Sequence, residues 1–300
     1  MRRSVIRSVL LPLITAFIWG SAFVAQSLST GHIGPFTFNA ARSLVGAFVL
    51  LLTLLIRRRF RHSEEHAEKS GKPDLRSLLP GGICCGFFLA LASVLQQFGI
   101  TTTGAGKAGF ITALYVVLVP VAGLFFGRKC PLRVWCGVLL AVAGLYFLCI
   151  RSGERFSIGI GELSVFLCAF AFTAQILFVD RFVKNTDPVA LSCAQFFICF
   201  LLCSIGAVFT EEIRLPELAA CIPYILYVGV FSSGIAYTLQ IVAQKEGDPV
   251  LVSLLLSLEA FFAVVTGALI LHERLSAREL LGCALMMAAV LLSQLKRSDG

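Results

Sequence analysis

Two charged residues, Glu259 and Arg42, lie inside long apolar stretches of the sequence. Glu259 lies nine residues into the stretch that begins at Val250, or about 14 Å along a helix at 1.5 Å per residue. A carboxylate near the middle of a bilayer must be protonated, paired or in contact with water, so Glu259 is a candidate site for a substrate amine or a proton. The alternative is a structural glutamate that hydrogen-bonds neighbouring helices.

Two roles are open to Arg42. An ion pair with Glu259 is one, since a long arginine side chain spans the difference in depth between the two residues. An arginine that reaches the membrane interface or bonds backbone carbonyls is the other.

Four glutamines follow a repeated pattern. Gln26 ends the segment Ala-Phe-Val-Ala-Gln and Gln175 ends the related segment Ala-Phe-Thr-Ala-Gln, while Gln96 matches Gln240 after an offset of one residue. The first member of each pair lies near the outer end of its apolar segment and the second near the inner end. This placement predicts matching gates at the two membrane faces, with ordinary helix packing as the alternative.

The elements that hold these residues are predicted from composition. Of 300 residues, 58% are hydrophobic and 14% charged, whereas soluble domains reach about a quarter charged. The long apolar segments have the length of helices that cross a hydrocarbon core of about 30 Å. The ten predicted spans are Val9–Leu28, Phe36–Ile56, Leu78–Ile100, Ala105–Phe126, Leu132–Ile150, Gly159–Val179, Pro188–Phe209, Pro223–Ala243, Val250–Leu271 and Ala277–Leu295.

The basic residues predict the orientation. With the N-terminus inside, the inner segments hold eighteen Lys and Arg and the outer segments five, so both termini and the polar loop 57–77 are predicted to be cytoplasmic. The net charge of +8 lies at the ends of apolar segments rather than in a stripe, which argues against nucleic-acid binding. The first apolar run is too long for an ordinary signal peptide and is predicted to be a retained helix in the cell (inner) membrane.

Catalytic chemistry finds little support in the sequence. All four histidines lie in predicted loops, most of the eleven cysteines lie in apolar segments, and no phosphate-binding loop motif occurs. The sequence therefore predicts no enzyme, no metal site and no cofactor. An intramembrane enzyme or a receptor remains the alternative from another functional class.

The chain repeats itself in two halves, 1–150 and 151–300. A shift of 145 residues places Gly137 on Gly282, and Pro35 and Pro188 open the second helix of each half. Since each half holds five spans, an odd number, the second half must enter the membrane in the opposite orientation. An inverted repeat of this kind is typical of transporters.

With these features the chain resembles the EamA-type ten-helix carriers of the drug/metabolite transporter superfamily. The resemblance covers nearly the whole chain and rests on Trp19-Gly20-Ser21, the run from Gly109 to Pro120, Ser257-Leu258-Glu259 and the turn Glu273 to Ser276. It implies a cavity lined mainly by helices 3, 4, 8 and 9, with help from helices 1 and 6. The family places a proline after the helix 9 glutamate, where this chain has Ala260, so the kink there is predicted to be weak or absent.

The resemblance also implies a function. It favours a secondary transporter in the bilayer that moves a small metabolite, an amino acid or a related compound, outward by alternating access, with Glu259 as one option for proton coupling. A carrier of organic cations or of lipid-linked sugars is the alternative, and the protein would act as a monomer or a homodimer. The predicted substrate-binding residues are Glu259, Trp19, Tyr115, Tyr237, Gln96 and Gln240, and the predicted gate or inter-helix residues are Gln26, Gln175 and Arg42.

Overall fold

The computed structural model describes residues 9–61, 75–103, 105–128, 130–150, 159–271 and 276–294. Within these ranges the regular elements are all helices. Each of the ten predicted spans corresponds to a helix or to a helix with one interruption. They are α1 (Leu11–Ser29), α2 (Pro35–Arg61), α3 (Leu75–Thr103), α4 (Ala105–Thr112 and Tyr115–Phe125), α5 (Leu132–Cys149), α6 (Ile160–Val183), α7 (Pro188–Thr210), α8 (Ile222–Glu246), α9 (Pro249–Leu256 and Glu259–Leu271) and α10 (Ala277–Gln294).

The exterior of the helix bundle is apolar. Among the described residues, eight helices are long and apolar enough to cross a membrane, and Leu132–Leu148 is a shorter apolar helix. Large hydrophobic side chains are exposed around the bundle, as lipid contact requires. Examples are Phe17, Phe48, Leu91, Leu139, Phe170, Phe197, Phe209 and Leu291. The protein is therefore an all-α, multi-pass membrane protein.

The boundaries of the polar loop differ from the prediction. Helix α2 continues to Arg61 and α3 begins at Leu75, so only residues 62–74 of the predicted loop 57–77 lie between helices, and these fall outside the described residues. The basic run at the end of α2 fits this extension, because cations are favourable at the C-terminal end of a helix.

Helices α4 and α9 are interrupted at matching places. Helix α4 breaks at Ala113 and Leu114, and α9 breaks at Ser257 and Leu258. In both breaks the backbone tightens into a turn, with φ and ψ of −60° and −12° at Leu114 and of −61° and −14° at Ser257. A shift of 145 residues relates the two breaks to within one residue, so the repeat is present in the backbone as well as in the sequence.

The break in α9 corrects the prediction based on Ala260, because the helix is interrupted without the family's proline. Two serine side chains supply a local reason. The hydroxyl of Ser257 donates to the carbonyl of Leu254 at 2.8 Å, and that of Ser253 donates to the carbonyl of Val250 at 2.8 Å. Such bonds compete with the regular helical pattern and bend helices.

The helices of the two halves pack against each other. Helix α2 packs against α7, α3 against α6 and α7, α5 against α10, and α1 against the second segment of α9. Glycines allow the closest approaches, since a Cβ on Gly20 would lie 2.7 Å from the backbone nitrogen of Ala263 and from the carbonyl oxygen of Glu259. In the α5–α10 pair, a Cβ on Gly282 would lie 2.8 Å from the carbonyl oxygen of Gly144.

Helix α8 differs from its counterpart α3 in its middle. Residues Val228–Ala236 form a π-helical segment, a feature that often occurs at functional sites. Within this segment Ser233 packs against Gly46 of α2, at 2.6 Å from the position that a Cβ there would take. The π-helical segment thus fits α8 closely against the first half.

Candidate functional site

A buried cavity lies where the interrupted helices meet. It brings together all nine residues that the sequence predicted as site residues. Its lining comprises Trp19, Ala22, Phe23 and Gln26 of α1, Arg42 of α2, Gln96 of α3, Thr112 and Tyr115 of α4, Phe172, Gln175 and Ile176 of α6, Ser232, Tyr237 and Gln240 of α8, and Glu259 of α9. Substrate-binding and gating roles for these residues stay predictions.

Glu259 and Tyr115 meet across the two halves. Each is the first residue of a helical segment that follows a break, and the Tyr115 hydroxyl donates to Glu259 Oε1 at 3.1 Å. Glu259 is 4% exposed, and its position at the N-terminal end of a segment is favourable for a carboxylate. Within the described residues, Oε2 of Glu259 accepts no hydrogen bond, so this oxygen remains able to accept one from a ligand.

Arg42 is held by neutral partners. It is 2% exposed, its Nε donates to Asn39 Oδ1 at 2.7 Å, and its Nη2 donates to Ser93 Oγ at 2.8 Å. Among the described residues Arg42 and Glu259 form no ion pair with each other, and Arg42 bonds side chains rather than backbone carbonyls. Both interpretations offered by the sequence are therefore wrong for this conformation, because Asn39 and Ser93 already orient the guanidinium.

The four glutamines of the cavity lining belong to three separate hydrogen-bonded groups. Gln240 Nε2 donates to Gln175 Oε1 at 3.4 Å, and Gln175 Nε2 donates to Gln195 Oε1 at 3.1 Å. Gln96 Nε2 donates to Thr112 Oγ1 at 3.3 Å. The backbone carbonyl oxygen of Gln26 accepts a hydrogen bond from Gln97 Nε2 at 3.4 Å.

The aromatic side chains form one wall of the cavity. The ring centroids of Trp19 and Tyr237 lie 4.6 Å apart. The Phe196 ring packs against the Tyr237 ring, with 5.2 Å between their centroids. Trp19 Nε1 and Gln240 Oε1 are buried without a hydrogen-bond partner in the described chain. Buried polar atoms normally find partners, so these two are candidate contacts for a ligand.

The cavity is small in this conformation. Its volume is about 30 Å³, about the share of one water molecule in the liquid. Known sites for small molecules enclose roughly 300–1,000 Å³. A metabolite therefore requires a conformation in which the helices around the cavity have moved apart.

Several contributors were missed at the sequence level. Asn39 and Ser93 orient Arg42, and Gln195 orients Gln175, yet each resembles an ordinary packing residue in the sequence. Helix α2 also lines the cavity through Arg42, although the resemblance implied a cavity without it. The signal available for Asn39 was its spacing of three residues from Arg42, which places both on one face of a helix.

The groups that line the cavity are suited to binding a ligand. It offers one cation, one carboxyl group, several amides and an aromatic wall. Within the described part of the chain, no three His, Cys, Asp or Glu side chains form a group that could hold a metal ion.

Comparisons with known proteins agree with this architecture. The sequence profile of the EamA-like transporter family matches residues 6–150 and again residues 159–295. An uncharacterized transporter of Archaeoglobus fulgidus is 30% identical over 94% of this chain and 84% of its own length. A WAT1-related chloroplastic protein of Arabidopsis thaliana is 29% identical over 92% of this chain and 66% of its own length.

A further relative and a solved structure extend the comparison. An uncharacterized transporter of Bacillus subtilis is 27% identical over 93% of this chain and 91% of its own length. A crystal structure superposes with a TM-score of 0.77 at 18% identity, covering 96% of both chains. The likeness to that structure supports the fold alone.

Proposed function

Because the chain belongs to the EamA-like transporter family, we propose that it exports a small zwitterionic metabolite, an amino acid or a related compound, by alternating access across the cell (inner) membrane. One observation carries the proposal: Arg42 and Glu259 line the same buried cavity and do not bond each other. A cavity with one basic and one acidic side chain matches a ligand that carries both charges.

The geometry supports a role for each end of the ligand. Arginine has five N–H donors, and Asn39 and Ser93 occupy two of those of Arg42. The remaining donors suit a carboxylate, which a guanidinium binds through two parallel hydrogen bonds. Glu259 Oε2 and the aromatic wall suit the substrate amine, since ammonium groups bind both carboxylates and aromatic faces.

Alternating access is supported by the two broken helices. Discontinuous helices at corresponding positions of inverted repeats are a feature of carriers whose site lies near the midplane. The segments on either side of each break can tilt separately. We expect the small cavity of this conformation to widen in the inward-open and outward-open conformations.

The proposal is tested by reconstituting the protein in liposomes and measuring flux of labelled amino acids, organic cations and neutral sugars. We expect zwitterionic amino acids to be transported fastest. Vesicles without protein and vesicles with the Arg42→Gln variant serve as controls. Absence of flux for every zwitterion tested would contradict the proposal.

An organic-cation carrier is the second candidate, favoured by the aromatic wall beside Glu259. Trp19, Tyr237 and Phe172 supply faces that attract cations. This candidate requires Glu259 but not Arg42. Cation flux that is lost in Glu259→Gln and unchanged in Arg42→Gln would select it over the zwitterion carrier.

Proton coupling is a separate part of the proposal. If Glu259 exchanges a proton for the substrate amine, Glu259→Gln removes both the coupling and the pH dependence of flux. The measurement is counterflow and net flux across a pH gradient. A variant that keeps both its rate and its pH dependence would contradict coupling at this residue.

A further inference from the structure

A second and much larger space lies toward the predicted cytoplasmic face. This inner groove has a volume of about 920 Å³ and is bounded by Ser77 near the start of α3 and by Phe126 and Arg128 after α4. Its remaining lining comes from α6 and the turn after it, and comprises Ala174, Leu177, Phe178, Asp180, Arg181, Phe182, Lys184 and Asn185. Helix α6 separates it from the central cavity, since Gln175 and Ile176 line the cavity while their neighbours line the groove. The groove therefore belongs to a different face of the protein.

The deep wall of the inner groove is apolar and aromatic. Phe178 and Phe182 lie nearly parallel with ring centroids 6.4 Å apart, and Phe126, on the opposite side, is 74% exposed. Ala174 lies ten residues before Lys184 on α6, or about 15 Å along the helix axis. That length is half of a hydrocarbon core of about 30 Å, so the groove extends through the depth of one leaflet.

The mouth of the inner groove carries excess positive charge. The carboxylate of Asp180 is bonded by Arg128, and Lys184 Nζ lies 3.6 Å from Asp180 Oδ2. Arg181 is a third cation on the groove lining. The lining thus holds three cations and one carboxylate, and the Lys184 side chain is 59% exposed and accessible to a further anion.

We infer that the inner groove binds an anionic phospholipid of the cytoplasmic leaflet. One acyl chain lies along Phe178 and Phe182, and the phosphate binds at Arg181 and Lys184. Basic pockets between membrane helices on the cytoplasmic side recognise anionic headgroups in this manner. The lining of the groove contains none of the glutamines of the central cavity, and its phenylalanines match an acyl chain better than a polar metabolite.

The structural consequence concerns helix α6. A lipid in the inner groove packs against the side of α6 that faces away from Phe172 and Ile176 of the central cavity. Lipid binding therefore favours this conformation of α6, because a ligand shifts a conformational equilibrium toward the state that it binds better.

The test measures lipid binding and does not depend on transport. The full-length protein is placed in nanodiscs of phosphatidylcholine with or without phosphatidylglycerol, and retained lipid is counted by native mass spectrometry. We expect preferential retention of phosphatidylglycerol, weakened by about fivefold for each cation lost in the Arg181→Gln/Lys184→Gln double variant. The matched control is Arg58→Gln/Arg59→Gln, which removes two exposed cations outside the groove on the same predicted face.

Three outcomes would overturn the inference. Equal retention of the two lipids by the wild type is the first. An equal loss in the groove variant and in the control variant is the second, since it would indicate attraction by overall charge. Displacement of the bound lipid by soluble glycerol phosphate at matched concentration is the third, because the site would then recognise a free phosphate without its acyl chain.

An apolar variant provides an independent check. Ala174→Phe adds bulk to the deep wall of the inner groove without changing charge. We expect it to reduce retention of phosphatidylglycerol while leaving thermal stability in lipid-free detergent unchanged. Unaltered retention in this variant would also contradict an acyl chain in the groove.

Discussion

The two halves of the molecule break their fourth and ninth helices at corresponding positions but place different residues there. A shift of 145 residues places Glu259 on Leu114. The segment after the break begins with Tyr115 in the first half and with Glu259 in the second half. A second difference involves α2 and α7. Arg42 follows Pro35 by seven residues, and the residue seven positions after Pro188 is the neutral Gln195.

Each half therefore contributes one charge where the other half is neutral. The backbone is duplicated, so either half can adopt the packing of the other. The charges are not duplicated, so the cavity between the halves has a basic side and an acidic side. Under the proposed function, this difference lets a carrier with a repeated backbone bind an asymmetric ligand in one orientation.

The largest effect is expected from removing either charge. Arg42→Gln and Glu259→Gln should each lower liposome flux roughly ten- to a hundredfold, because a hydrogen bond to a charged group contributes about 1.5–3 kcal/mol. The control is Thr53→Val, which removes a polar group elsewhere on α2, where the Thr53 hydroxyl donates to the carbonyl of Val49. If this variant lowers flux as much as Arg42→Gln does, the charge asymmetry is not what matters.

The next effect concerns the crossing of α1 and α9. In the repeat pattern that pairs Gln26 with Gln175, Gly20 corresponds to Ala169 of α6. Gly20→Ala makes the first half resemble the second, but its Cβ would lie 2.7 Å from the backbone of α9. We expect destabilisation of about 1–3 kcal/mol from overpacking, measured as a lower apparent Tm in detergent.

Gly109→Ala is the control for that comparison. A Cβ at Gly109 meets no atom within 4 Å, and alanine is the better helix former by about 1 kcal/mol. We expect its apparent Tm to stay level or rise. A similar fall in both variants would mean that the close contact at Gly20 is not the cause.

A smaller effect is expected at the contact between the two breaks. Tyr115→Phe removes the hydroxyl that donates to Glu259, and a net loss of about 1 kcal/mol would lower flux about fivefold. Tyr227→Phe is the matched change outside the cavity, where the hydroxyl lies 2.6 Å from Ser21 Oγ. An equal effect of both variants would argue against a specific role for the Tyr115–Glu259 bond.

The smallest effect concerns how the second helix of each half is capped. Asp187 caps α7 from the same chain segment, accepting from the backbone N–H groups of Val189 and Ala190. Glu211 caps α2 from the other half, accepting from Phe36 and Thr37 at 2.8 Å each. Glu211→Gln should lower stability by about 0.5–1 kcal/mol, since it weakens a cap between the halves.

Asp187→Asn provides the counterpart for this cap. It should cost less stability than Glu211→Gln, since asparagine is also a good cap and only the exposed contact with Arg57, 3.8 Å away, is lost. Both are measured as shifts in apparent Tm. A Glu211→Gln protein with unchanged Tm would show that this cap does not stabilise the contact between the halves.

Much of the fold could be predicted from the sequence because spanning helices are long, apolar and bounded by charge. The nine predicted residues meet in one cavity, since a polar side chain inside an apolar helix has few other places to lie. The partners of these residues could not be predicted in the same way. Asn39 and Ser93 come from different helices, and only packing brings them to the same guanidinium.

Local backbone geometry was the other feature that could not be predicted from the sequence. The break in α9 was expected to need a proline, but serine hydroxyls bonded to preceding carbonyls accompany it. The π-helical segment Val228–Ala236 has no clear sequence signal, because its composition suits an ordinary apolar helix. Both features depend on side-chain bonds and contacts that become definite only when the helices are packed.

The central claim is that Arg42 binds the substrate carboxylate and Glu259 binds the substrate amine. The most direct measurement is competition for counterflow in liposomes by a transported amino acid, its methyl ester and its deaminated acid. The account predicts that wild type discriminates against both analogues, that Arg42→Gln no longer discriminates against the ester, and that Glu259→Gln no longer discriminates against the deaminated acid. If both variants keep both preferences of the wild type, the two charges do not bind the two ends of the substrate.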